Sequence, residues 1–162
     1  MLHGLLLGMQ KGTAKKLGLL DKFLPYVDNW GVCDTMTAAL WNKGDDFDAV
    51  FKHAKEQTES DRVYSIRYGV VCFLDYFTSD RYDEIVEITS KITNDDYYVE
   101  MALGWLLSVL AVRDFKKTVE ILLQKRYTNS VSLIAIRKGI ESLRLDSGQK
   151  EILRNIKKEF KR

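Results

Sequence analysis

The segment from Ile66 to Ile88 lies over Val99 to Ile121 at a shift of 33 residues, so that Val86-Glu87-Ile88 falls on Val119-Glu120-Ile121 and Tyr82 on Phe115. Self-similarity at a fixed step of this size marks stacked supersecondary units, each too small to bury its own apolar face. The unit reads as a helical hairpin. Apolar residues recur at three- and four-residue spacings throughout, β-type alternation is nowhere sustained, and Pro25 is the only proline in 162 residues. Helices are expected at roughly 2–10, 13–26, 30–43, 46–57, 61–77, 80–92, 96–112, 115–125, 129–143 and 148–160. Ser60, Ser79, Asn94, Asp114, Asn129 and Asp146 stand where capping oxygens are needed for the orphan amides of a helix start. Short connections make consecutive helices antiparallel, which predicts an all-α solenoid of hairpins in series and one domain over 1–162.

Composition narrows the class. Apolar residues make up 46% and charged residues 30%, a mixture that packs a core and stays dissolved. The longest apolar runs fall short of the roughly 18 to 20 residues a membrane helix needs. With no basic leader or small-residue cleavage site at the N-terminus, a cytoplasmic protein is expected. Cys33 and Cys72 sit in apolar helical patterns, and with only His3 and His53 beside them no metal-ligand spacing exists. Neither a disulfide nor a metal site is expected. The net charge of +2 is uneven: from Ser147 onward six basic residues, Lys150, Arg154, Lys157, Lys158, Lys161 and Arg162, face Glu151 and Glu159, so this end carries +4 and the rest −2. A basic terminal helix can touch phosphate or simply complement its own dipole.

The repeat also sorts the polar residues. The same 33-residue step brings Asp34 under Arg67, so both should project from equivalent positions of successive first helices, the face that lines the concave groove of a solenoid. Trp30 and Asp34 are four apart, which stacks an indole beside a carboxylate on one helix face. Trp105 lies one hairpin further on, where Ala102 and Gly104 are read as leaving room around its ring. The four outline a box with two aromatic walls, a carboxylate and a guanidinium. Plainer readings exist for each. Trp30 and Trp105 can be core aromatics, Asp34 can complement a helix dipole, and Arg67 can pair with Asp34 as a structural bridge between repeats.

The segments VDNWGVCD, YSIRYGVVCFLDYF and NDDYYVEMALGWLLS resemble the DNA alkylation repair family of HEAT-like repeat glycosylases, in which a Trp-x-x-x-Asp pair, a helix-borne Arg and a later Gly-Trp occur in this order. The resemblance covers nearly the whole chain and implies a HEAT-like helical repeat solenoid with a concave groove. It implies hydrolysis of the glycosidic bond of cationic N3- and N7-alkylpurines in double-stranded DNA, with no metal or organic cofactor. A cationic purine leaves readily, so such an enzyme mainly stabilises the positive charge growing on the deoxyribose. The resemblance gives that task to Asp34, which can also orient or deprotonate water. It sets Trp30 and Trp105 against the sugar and the cationic base, and makes Arg67 a phosphate clamp.

Two departures from the family are expected to matter. Helices that precede the segment equivalent to Met1 look missing, leaving Leu5, Leu6 and Leu7 facing nothing, and the position one turn after Trp105 holds Ser108 where some members carry a basic residue. Two other classes stay open beside the glycosylase: a catalytically silent DNA-binding module, and a protein-binding HEAT-like scaffold, for which the near-neutral charge argues.

Overall fold

The computed structural model describes residues 2–160. Its described residues form ten α-helices and no strand: α1 (Leu2–Gly8), α2 (Thr13–Phe23), α3 (Trp30–Leu40), α4 (Phe47–Thr58), α5 (Val63–Tyr76), α6 (Tyr82–Thr89), α7 (Tyr97–Arg113), α8 (Phe115–Leu123), α9 (Asn129–Glu141) and α10 (Ser147–Ile156). Short 3-10 turns over Leu24–Tyr26 and Lys157–Phe160 follow α2 and α10. Every expected helix is present, and most are shorter than the periodicity implied. The expected helix over 13–26 ends at Phe23 because Pro25 enters the next turn, where it has no amide to donate to a longer helix.

The odd-numbered helices pack in succession, α1 on α3, α3 on α5, α5 on α7 and α7 on α9. The even-numbered ones form a second row through α2–α4, α4–α6 and α8–α10, and the rows meet at α1–α2, α4–α5, α7–α8 and α9–α10. Apolar side chains between the rows make the core; Leu20, Tyr68, Phe73, Leu106, Leu110 and Ile136 are fully buried there. The first residues of α3, α5, α7 and α9 stand 33, 34 and 32 residues apart. Bonds between successive pairs recur at similar separations: Asn42 donates to the Gly8 carbonyl, the Asp46 amide to the Thr13 hydroxyl and Arg81 to Asp48.

Close packing of the rows depends on small residues. A Cβ on Gly69 of α5 would lie 2.5 Å from the Ala54 carbonyl oxygen of α4, and Gly104 of α7 is pressed against Ile134 of α9. Gly104 and Ala102 are buried, so the space expected around the Trp105 ring is instead taken up by helix packing. Leu7, expected to face nothing, is 4% exposed and joins the core, while Leu5 is half-buried and Leu6 exposed.

Capping follows local chemistry. Asp114 and Asp146 cap α8 and α10 as expected, Asp146 with Gln149 in a reciprocal capping box. Thr128 caps α9 in place of Asn129, and Asp96 caps α7 in place of Asn94, whose Oδ1 accepts from the Asp96 amide in the turn before the helix. Ser60 plays the same pre-helix part, accepting from the Arg62 amide, and α5 and α6 begin with no side-chain cap, so Ser79 caps nothing. Lys161 and Arg162, counted in the basic terminus, lie outside the described residues. Among the described residues no helix is long and apolar enough to cross a membrane.

Candidate functional site

Asn29 opens α3, its Oδ1 accepting from the Val32 amide at 2.9 Å, and so sets Trp30 at the first helical position. Trp30 is 56% exposed and is no core aromatic. One turn on, Asp34 lies beyond the first turn, where little of the helix-dipole field remains, and its side chain is largely buried. Trp105, on α7, is half-buried against the core.

Arg67 reaches Asp34 from α5 with its planar fork. Its Nε donates to Asp34 Oδ1 at 2.8 Å and its Nη2 to Oδ2 at 2.6 Å, while Nη1 donates to the Tyr98 carbonyl at the start of α7 at 2.7 Å. Arg67 thus ties three consecutive odd helices together from a buried position, being 6% exposed. A two-point guanidinium–carboxylate pair is the strongest geometry open to these groups, and together with the bond to the Tyr98 carbonyl it leaves two of five guanidinium N–H donors for other partners.

All four residues expected from the sequence, Trp30, Asp34, Arg67 and Trp105, line one cleft of about 410 Å³, together with Tyr97, Tyr98, Met101 and Lys138. Tyr97 is 63% exposed and Tyr98 meets both Tyr97 and Tyr64 ring to ring, so the mouth is aromatic. A second cleft of about 610 Å³ continues past Trp105 and Lys138 toward Asp75, Arg113, Glu141 and Arg144, with Ser108 in its wall. The charge along both clefts is mixed. Asp75 reaches the surface, but its partial burial, and then the Asp34 charge, raise its carboxyl to about 6.

Of the cleft residues that escaped sequence reasoning, four bear most on the site's chemistry. The carbonyl of Tyr98 and the aromatic lining of Tyr97 follow from where α7 begins, which periodicity places only to within about two to four residues. Lys138 had a signal: it stands 33 residues after Trp105, the same step that joins Asp34 to Arg67. Asp75 lies eight residues after Arg67 on α5, about two turns along one face.

The cysteines lie apart from this chemistry. Both are free and buried, and burial pushes the Cys33 thiol up to about 12 and Cys72 higher still, so neither is a thiolate nucleophile near neutral pH. Among the described residues no three His, Cys, Asp or Glu side chains gather closely enough to hold a metal ion.

No curated protein and no solved structure shows a significant match to the chain. The model of the family described as DNA alkylation repair enzyme matches residues 2–143, which takes in α1 to α9 and every residue of the aromatic cleft. On that match over most of its length, with the cleft inside it, the chain belongs to the DNA alkylation repair enzyme family.

Proposed function

We propose that this protein is a DNA glycosylase that releases cationic N3- and N7-alkylated purines, built as a HEAT-like solenoid whose odd-helix face is the DNA-binding groove. The observation that carries the reading is the convergence of Trp30, Asp34, Arg67 and Trp105 on one cleft, in a chain of a DNA alkylation repair family.

The chemistry asks little of the protein. When the bond from the sugar to the cationic purine breaks, its electron pair leaves with the base and neutralises it, and positive charge develops on the deoxyribose. Water then adds at the vacated carbon and gives up a proton, leaving an abasic site and a neutral free base. Among the described residues Asp34 is the only carboxylate lining the aromatic cleft, and its role is to face that growing charge and to hold the water. Arg67 keeps the carboxylate in one rotamer, so the field needs no reorganisation during the reaction. Its two remaining N–H donors are the ones available to a phosphate oxygen. Trp30 and Trp105 offer π faces to the cationic base and exclude water from one side of the sugar.

One observation favours a second reading. Both oxygens of Asp34 accept from Arg67, so the pair is neutral as a unit and its attraction for a cation is weaker than that of a lone carboxylate. A catalytically silent DNA-binding module follows if that pairing is retained on DNA. Incubation with methylated duplex DNA separates the readings. Release of N7-methylguanine or N3-methyladenine supports the glycosylase; salt-dependent binding without release supports the silent module; neither result supports a protein scaffold.

A further inference from the structure

The step that joins Asp34 to Arg67 recurs at the other end of the cleft. Lys138 stands on α9 at the repeat position of Trp105 on α7, 33 residues on, and its Nζ lies 6.0 Å from the centroid of the Trp105 ring. Gly104 lets α9 come this close, since any side chain there would collide with Ile134. Lys138 lines both the aromatic cleft and the larger cleft beside it, and so stands at their junction.

Its charge is uncommitted. The other cation of the aromatic cleft, Arg67, is spent on Asp34, whereas among the described residues Lys138 forms no ion pair. A half-buried ammonium over an indole face is held in place by a weak attraction and still presents its N–H donors outward. On the far side of the junction Arg113 and Arg144 are matched in number by the carboxylates of Asp75 and Glu141 in the second cleft, so Lys138 gives that lining its one excess positive charge. An anion at the junction therefore meets one unpaired cation directly.

We propose that Lys138 is a phosphate-binding residue, gripping the DNA backbone at the junction of the two clefts, on the Trp105 side of the scissile nucleotide. The proposal rests on the DNA-binding reading above. It assigns to Lys138, more than to the buried Arg67, the backbone contact that fixes register.

The test is anisotropy of a labelled, undamaged duplex bound by the full chain over a range of salt concentrations. It compares wild type with Lys138→Gln, Lys138→Arg and, as a control, Lys52→Gln, a lysine on α4 that is 80% exposed and lines neither cleft. Lys138→Gln should weaken binding about three- to tenfold at low salt and flatten the salt dependence by about one unit of slope, the signature of one lost phosphate contact. Lys138→Arg should restore both, and the melting temperatures should agree. Lys138→Gln with wild-type affinity and slope, in a protein that does bind DNA, overturns the proposal and leaves the DNA reading standing. A wild-type chain that shows no salt-dependent DNA binding overturns both.

Discussion

Ion pairs bridge successive hairpins in two settings, exposed along the even row from α4 onward and buried at the odd-row cleft, and the two settings use charge differently. In the even row Arg81 reaches Asp48, Lys117 reaches Asp83 and Arg126 reaches Glu87, each pair with a partner at least half exposed. In the odd row Arg67 reaches Asp34 with side-chain exposures of 7% and 16%. Exposed pairs of this kind contribute about 0–1 kcal/mol each, because water and salt screen them and two long side chains must be held still. A buried pair is a poor source of stability yet costly to break, since removal of one partner strands the other charge. The exposed pairs from α4 onward therefore tolerate substitution, whereas the two buried pairs, Lys16 with Asp45 between the first even-row helices and Arg67 with Asp34 at the cleft, do not.

The largest effect that sharpens this contrast is expected from Asp34→Asn. Base release should fall by on the order of a hundredfold or more, the scale seen when one preorganised electrostatic group is removed from an active site. Stability should fall too, by about 3 kcal/mol in denaturant titration, because Arg67 keeps a buried charge without its partner. Arg67→Lys comes next. A lysine cannot hold both oxygens of Asp34 and the Tyr98 carbonyl at once, so partial losses of stability and of base release are expected together, in calorimetry and in the release assay.

Asp75 offers a pH test on the same face. Its folded-state carboxyl titrates at about 6, raised from 3.8 by partial burial and the Asp34 charge, so the ionised form is the one the fold disfavours. That penalty is absent below 3.8, grows between 3.8 and about 6, and is complete above. Asp75→Asn should raise the melting temperature at pH 7 and leave it unchanged at pH 3.5. DNA affinity of the wild type should strengthen as pH falls from 7 to 5, because a negative charge leaves the second cleft, and this rise should flatten in Asp75→Asn. At the small end, Arg81→Ala in the even row should cost about 1 kcal/mol or less and leave base release unchanged.

What could be read from the sequence divides along the same line. The hairpins, their order and the meeting of Asp34 with Arg67 follow from a 33-residue step that side-chain types record directly. Trp30 and Trp105 fall into the same cleft for the same reason, since helices at equivalent repeat positions pack in succession. The atoms that complete the site were not so recorded. The Tyr98 carbonyl is backbone, which any residue supplies, and its place depends on α7 starting at Tyr97. That start was itself obscured, because Asn94, like Ser60 before α5, looks like a helix cap but accepts from the amide of the residue just before its helix. Lys138 lay one repeat step beyond Trp105, on a helix that carried no motif of its own. Gly104 suggested open space around an indole, and burial between α7 and α9 reverses that reading, because a missing side chain draws helices together as readily as it opens a pocket.

The claim at the centre of this account is that the Asp34 carboxylate itself, beyond the pair it makes with Arg67, drives base release. Asp34→Asn alone confounds charge with stability, so the decisive variant is Asp34→Asn with Arg67→Met, which removes both charges from the buried position and leaves none stranded. Single-turnover release of N7-methylguanine from methylated duplex, normalised to folded protein, is the measurement. The account predicts that the double variant recovers much of the melting temperature lost in Asp34→Asn while release stays at least about a hundredfold below wild type. A folded double variant that releases base at the wild-type rate would contradict it, and would leave Asp34 and Arg67 as a bridge between repeats and nothing more.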